Sequence, residues 1–382
     1  MQKYFQEELI KHNNPLQRVR YGKYFQLEAP PTLIGYNYSS KRANYARNSG
    51  QLLTIRIETS KICDLNCIYC YTDAGKISPN ELSLDETLNV VDQAFELGVE
   101  SIVIIGAGEP TQSPFFFEII EYIYSKKITP VVFTNGTQIT KDIAIFLYKK
   151  NCSIIIKLDS LIPQIQDFLA NEQGTFKKIQ EGLRNLIQAG FTKVDDTKKL
   201  RLGISFVTTK KNIDGIINIW KFCRNNNIYP NQEILTPDGR GRNICELIPS
   251  TGELKKLKLK LLEIDRFEYG YDWLPYTPLT GCGCLQFLYS LCIDIEGYVM
   301  PCAGVKIRKE NIRDKLLKEI LNTELFQFFR HIDKNLKGKC SNCEYISECI
   351  GCRGSAYTMG INQNKDPIEA LCDEDPFCFK EC

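Results

Sequence analysis

Seventeen cysteines and only two histidines, His12 and His331, bound the chemistry open to this 382-residue chain. Three of the cysteines stand together in Cys63-Asp-Leu-Asn-Cys67-Ile-Tyr-Cys70. Thiolates at this spacing can wrap one face of an iron–sulfur cubane. Such a cube normally takes four cysteine ligands. Three leave one iron open to an outside ligand, much as catalytic zinc sites keep one position free. Read alone, the same three thiols also suit a zinc knuckle or buried core positions. With so few histidines, histidine-rich zinc chemistry is nearly excluded, and acid–base work falls to Asp, Glu, Lys, Tyr, Cys or Arg.

Eleven more cysteines lie between positions 282 and 382, beyond a stretch where Cys152, Cys223 and Cys245 stand singly. Cys292 and Cys302 flank Gly297 at five residues on either side, the spacing of a hairpin that would set the two thiols opposite each other. Cys340-x2-Cys343-x5-Cys349-x2-Cys352 follows, and Asp375-Pro376-Phe377-Cys378 comes near the end. On spacing alone, paired zinc ribbons fit these CxxC pairs equally well. Cys152, Cys223, Cys245 and Cys382 read as core or incidental thiols. Apart from the cysteines, Gly106-Ala-Gly108-Glu109-Pro110 places a carboxylate behind two glycines that permit close backbone approach to a ligand. Thr134-Asn135-Gly136 and Lys157-Leu158-Asp159 also offer polar groups beside apolar runs.

The C-x3-C-x2-C spacing, with Tyr69 before the last cysteine and Gly-x-Gly-Glu-Pro downstream, resembles the radical S-adenosylmethionine (SAM) superfamily. The resemblance implies a four-iron cluster on Cys63, Cys67 and Cys70, with SAM chelated at its open iron. Reductive cleavage of SAM then yields a 5′-deoxyadenosyl radical. It implies Tyr69 near the adenine, Gly108 and Glu109 at the SAM ammonium, and Asn135, Lys157 and Asp159 near the ribose. The later cysteines resemble the SPASM extension, which usually holds two auxiliary four-iron clusters. Carried over, one would use Cys284 (or Cys282), Cys292, Cys302 and Cys352. The other would use Cys340, Cys343, Cys349 and Cys378, with Cys372 competing for the last place. A low-potential electron donor such as flavodoxin or ferredoxin belongs to the same expectation.

Those motifs need strand ends to carry them. LLTIRIE (52–58), SIVIIG (101–106), PVVFTNG (130–136), SIIIKLD (153–159), LRLGISFVTT (200–209) and QEIL (232–235) read as strands. Helices fall between them at 83–98, 115–126, 140–150, 175–189 and 213–226. Alternation of this kind predicts a parallel sheet with helices outside, in an α/β fold. Six units fit a partial (β/α)6 TIM-type barrel, whose chemistry sits at the carboxyl ends of the strands. The expected organisation is an irregular lead-in over 1–50, the barrel over 51–240, a bridging loop and helix over 241–275, and a small cysteine-rich domain over 276–382. That last part has too little core of its own and calls for metal staples.

The net charge of +2 points neither to nucleic acid nor to an anionic membrane. No apolar run approaches the roughly 20 residues that span a bilayer. The polar start is not a signal peptide, which suggests a cytoplasmic protein. About 50 residues precede the first strand, below the usual size of a self-stable domain. Auxiliary clusters imply an oxidative outcome, most readily on a ribosomally made peptide or protein. A small sugar, aminoglycoside or cofactor precursor is the alternative substrate. A non-catalytic cluster regulator would not need the Gly-x-Gly-Glu-Pro motif. Sulfatase-maturing relatives carry Asp directly after the second hairpin cysteine; Ala303 stands there, which disfavours that activity. No general base is identified. Asp294 and Glu296 lie on the hairpin, and Arg240 and Arg242 suit a substrate carboxylate or a solvated turn.

Overall fold

The computed structural model describes residues 27–195, 197–275 and 284–380. Six parallel strands run in chain order: β1 (Thr54–Glu58), β2 (Ser101–Ile105), β3 (Thr129–Thr134), β4 (Ser153–Lys157), β5 (Leu202–Thr208) and β6 (Tyr229–Ile234). Each pairs with the next, β1 to β2 through Thr54↔Ser101 to Glu58↔Ile105. Alternation along the strands sorts the apolar residues to two faces. Ile55, Ile57, Ile102 and Ile104 join the large core under the helices. Val103, Ile105, Val131 and Ile155 turn inward with Tyr36 and Tyr229.

The connecting helices begin and end where local chemistry dictates. α1 (Ser40–Asn48) precedes the barrel, and α2 (Leu84–Glu96) opens on a reciprocal capping box between Ser83 and Glu86. α3 (Phe116–Ser125), α4 (Lys141–Lys149), α5 (Pro163–Ala170), α6 (Thr175–Ala189), α7 (Ile216–Asn225) and α8 (Thr251–Ile264) follow. Gly190, at φ +107°, closes α6 as the sequence predicts.

Three elements differ from expectation. α1 has no apolar stripe and buries only Ala43 and Ala46, so periodicity does not reveal it. α5 starts on Pro163, which suits a first turn but breaks a pattern. β6 begins at Tyr229 rather than at Gln232, because it includes Pro230; as an edge strand it tolerates a residue that cannot donate.

The C-terminal segment also changes the sheet. β7 (Ser290–Ile293) pairs parallel to β1, and β8 (Tyr298–Met300) and β9 (Glu310–Asn311) continue antiparallel. The nine strands form one sheet, ordered β6-β5-β4-β3-β2-β1-β7-β8-β9. Barrel and cysteine-rich segment therefore share a backbone ladder that covers what would be an open edge of β1. Within the hairpin, Cys292 pairs with Met300 and Ile293 with Val299. The two cysteines are therefore not opposite each other: Cys302 stands two residues beyond the partner of Cys292. The reason lies in the turn, where the amide of Gly297 donates to Asp294 O and that of Asp294 to Tyr298 O, centring it on Glu296.

At the amino ends of the strands the lead-in forms a plug. Gly35, at φ +72°, brings its carbonyl to Ser101 Oγ (2.6 Å), and Tyr36 enters the interior. The carboxyl ends remain to carry the site.

Candidate functional site

The loop after β1 carries Cys63, Cys67 and Cys70, all partly exposed, and neighbouring loops fix its path. The amide of Gly108 donates to Ser60 O and that of Glu109 to Ile62 O, each at 2.7 Å. A Cβ on Gly108 would lie 2.1 Å from Ile62 O. This glycine therefore lets two protein loops meet. From the loop after β3, Asn135 Nδ2 (2.8 Å), Thr137 Oγ1 (2.6 Å) and Gln138 Nε2 (3.1 Å) all donate to Asp64. Burial raises the Asp64 pKa, but these three donors outweigh it and hold the carboxyl below its ordinary value.

From beyond β6, the Arg240 amide donates to Cys70 O, and its guanidinium donates to Cys67 O, Asp73 and Ala74 O at 2.8–2.9 Å. Arg240 thus clamps the cysteine loop rather than lying in a solvated turn. Arg242 pairs with Asp238 and is exposed. Gly239, at φ +52°, has room only for hydrogen, since a Cβ would meet Cys70 O at 2.3 Å. The amide of Ile68 donates to Leu169 O in α5. Burial pushes the thiol of Cys63 up to about 11 and that of Cys67 to about 12; a bound cation would reverse both.

Glu109 is 2% exposed and accepts from Thr134 Oγ1 (2.6 Å), the Asn135 amide (2.6 Å), Thr111 Oγ1 (2.7 Å) and the Thr111 amide (3.1 Å). All these donors are neutral, and burial lifts its pKa. A buried carboxylate without a cationic partner among the described residues, within electrostatic reach of Cys63, fits an incoming ammonium. Lys157 Nζ lies 3.1 Å from Asp159 Oδ1 and 5.3 Å from the Tyr69 ring centroid. Asp159 is fully buried, accepting from the Val207 amide (2.7 Å) and from the Tyr69 hydroxyl. In this structure it orients Tyr69 and the end of β5. Asn135 likewise spends its side chain on Asp64 and Thr137.

In the C-terminal segment, Cys340, Cys343, Cys349 and Cys378 line one small cavity with Tyr345, Gly351, Asp375 and Lys380. Cys372 is buried at the end of the helix Pro367–Cys372 and is not among the residues lining it. Cys302 lies within electrostatic reach of Cys284 and Cys352, and Cys292 within reach of Cys302, so the other four also stand together. Cys282 lies outside the described residues. Burial raises Cys302 to about 12 and Cys352 to about 11. Asp375, 1% exposed, accepts from the amides of Cys352 (2.8 Å) and Phe377 (3.0 Å), and Arg353 Nη2 reaches Cys340 Sγ at 3.6 Å. Among the described residues, no three His, Cys, Asp or Glu are drawn tightly enough for a single metal ion. A cubane takes one thiolate per iron and so sets its ligands wider apart than one ion does.

Sequence reasoning missed Asp64, Gly239 and Asp375 as positioning residues. Only Asp375 carried a signal, in its Asp-Pro-x-Cys setting.

Residues 57–210 match the radical SAM superfamily and residues 284–344 match SPASM, an iron–sulfur cluster-binding domain. The AdoMet-dependent heme synthase of Methanosarcina barkeri is 27% identical over 83% of this chain and 93% of its own length. The mycofactocin maturase MftC of Mycolicibacterium smegmatis is 28% identical over 80% and 79%. The crystal structure of Streptococcus suis SuiB bound to precursor peptide SuiA superposes with a TM-score of 0.65 at 20% identity, covering 87% of this chain and 76% of that one. That likeness supports the fold.

Proposed function

Since the chain belongs to the radical SAM superfamily and carries a SPASM domain within its barrel sheet, we propose that it is a maturase that oxidatively modifies a ribosomally made peptide or protein. Cys63, Cys67 and Cys70 hold the cluster that cleaves SAM. Glu109 takes the SAM ammonium, with the Gly108 backbone, Asn135 and the Tyr69–Lys157 pair around the rest of the ligand. Cys284, Cys292, Cys302 and Cys352 hold one auxiliary cluster; Cys340, Cys343, Cys349 and Cys378 hold the other. The observation that carries this reading is the cysteine loop itself, tied by two short backbone bonds to the segment that delivers a buried Glu109 with no cationic partner among the described residues.

When bound, the clusters and SAM supply a one-electron reduction that yields a hydrogen-abstracting radical. The chain's own residues orient SAM, keep water from Glu109, and fix the cysteine loop. A low-potential donor such as flavodoxin or ferredoxin supplies the electron, and the cytoplasm is the compartment whose reducing poise keeps these thiols free. Among the described residues, no helix is long and apolar enough to cross a membrane.

The name mycofactocin maturase favours a peptide substrate, while the name heme synthase favours a cofactor precursor. Anaerobic incubation with SAM, dithionite and short peptides encoded beside the gene separates them. The expected result is a peptide two hydrogens lighter, with matching 5′-deoxyadenosine. Unchanged peptides, with conversion of a tetrapyrrole precursor under the same conditions, would favour the second reading.

A further inference from the structure

Arg56 stands in the middle of β1. Ile55 and Ile57 face the helices, so alternation turns Arg56 into the barrel. Its register partner on β7 is Cys292. Neighbouring strands lie about 4.8 Å apart, and register partners share a face. The guanidinium carbon of Arg56 lies 6.0 Å from the centroid of the Tyr36 ring. Among the described residues the side chain makes no hydrogen bond or ion pair, and its enclosed Nε is an orphaned donor. A cation is costly to bury without an anion.

The acids of this region are engaged elsewhere. Glu58 accepts from the Tyr71 hydroxyl (3.1 Å), Asp294 pairs with Arg308 (2.7 Å), and Asp375 accepts from the amides of Cys352 (2.8 Å) and Phe377 (3.0 Å). What faces Arg56 instead is sulfur. Its guanidinium lies within electrostatic reach of Cys284, Cys292 and Cys302, three of the four thiols proposed for one auxiliary cluster. Arg353 also reaches Cys284, but it donates to Leu371 O and Asp373 O. Among the described residues, Arg56 is thus the cation beside this set that has no other partner.

We propose that Arg56 is the counter-cation of the iron–sulfur cluster on Cys284, Cys292, Cys302 and Cys352, and that it raises the reduction potential of that cluster. This inference rests on the functional reading above. A four-iron cube on four thiolates is anionic, and each electron it accepts adds a negative charge. A positive charge beside it therefore favours the reduced form. The guanidinium stays protonated in proteins, so its effect is fixed and involves no proton transfer. A strand of the barrel supplies the cation and a strand of the C-terminal segment supplies the ligand Cys292. That gives the shared sheet a use beyond covering the edge of β1.

The test needs no substrate. In the full chain with Cys63, Cys67 and Cys70 replaced by Ala, the auxiliary clusters are titrated potentiometrically at one fixed pH and followed by electron paramagnetic resonance. Cys378→Ser, expected to remove the Cys340-side cluster, assigns the signals, and that cluster is the internal control. Arg56→Met is expected to lower the potential of the barrel-side cluster by at least about 59 mV, a tenfold change for one electron, with the control unmoved. Arg56→Lys keeps the charge and recovers most of the loss. An equal potential in the parent and Arg56→Met, at equal iron content, overturns the proposal, as does a fall shared equally by the control. An Arg56→Lys potential as low as that of Arg56→Met also overturns it. If Arg56→Met loses iron, Arg56→Lys decides: retained iron supports the proposal, and equal loss overturns it. A parent without auxiliary-cluster signals overturns the functional reading itself, and this inference with it.

Discussion

Two cysteine regions serve one chemistry but are organised differently. The loop bearing Cys63, Cys67 and Cys70 is held from outside by the segments after β2, β3 and β6 and by α5. Of the C-terminal cysteines, Cys292 is held on β7 against β1 of the barrel and the Cys352 amide by Asp375, while Cys343 and Cys349 are held by local turns. Bonds such as Ile346 N to Cys343 O and Cys349 N to Tyr345 O link near neighbours, and Ile350 N reaches Cys284 O only at 3.4 Å. Barrel hydrogen bonds fix the path of the first loop. The second region draws on thiols from Cys284 to Cys378, a long span whose closure costs chain entropy that the proposed cluster bonds would offset.

The largest expected effect is Cys63→Ala, which drops 5′-deoxyadenosine formation to background while leaving the melting temperature nearly unchanged, because barrel hydrogen bonds hold the loop. Collapse of the barrel in this variant would break the comparison. Next comes cluster removal with a chelator. Amide exchange is expected to accelerate at least about tenfold, roughly 1.4 kcal/mol, over 340–352 and 375–380 but not in β1–β6. Uniform acceleration would show that the two regions do not differ. Third, Cys378→Ser is expected to cost about four irons and Cys372→Ser none, as counted by iron analysis. Asp375→Ala leaves two buried amides unpaired and lowers stability by about 1–3 kcal/mol, measured by denaturant unfolding with the same loss of iron. Smallest is a pair of glycines. Gly108→Ala forces its carbon against Ile62 O and costs about 1–3 kcal/mol. Gly252→Ala, with open space around it in α8, stabilises by about 0.4–1 kcal/mol.

Much of the barrel was legible because its strands are nearly continuous apolar runs and its helices carry caps such as Ser83, Thr140 and Gly190. The elements missed were those that stand without apolar periodicity: α1 with two buried alanines, α5 opening on proline, and the first half of β6 around Pro230. The union of the hairpin with β1 was not readable, since strand order depends on distant pairing rather than on local pattern. Hairpin register failed by two residues because spacing about Gly297 ignores where the turn's hydrogen bonds centre. Among site residues, the cysteines and Glu109 announce themselves by spacing. Asp64 and Arg240 do not, because an ordinary charged residue becomes a clamp only through partners far away in the chain.

The most direct test of the central claim is iron, sulfide and zinc per chain after anaerobic reconstitution, with SAM cleavage measured on the same samples. The account predicts about twelve irons with 5′-deoxyadenosine formed by the intact chain, and about eight irons with no cleavage once Cys63, Cys67 and Cys70 are replaced by Ala. Stoichiometric zinc and no SAM cleavage in the intact chain would contradict it.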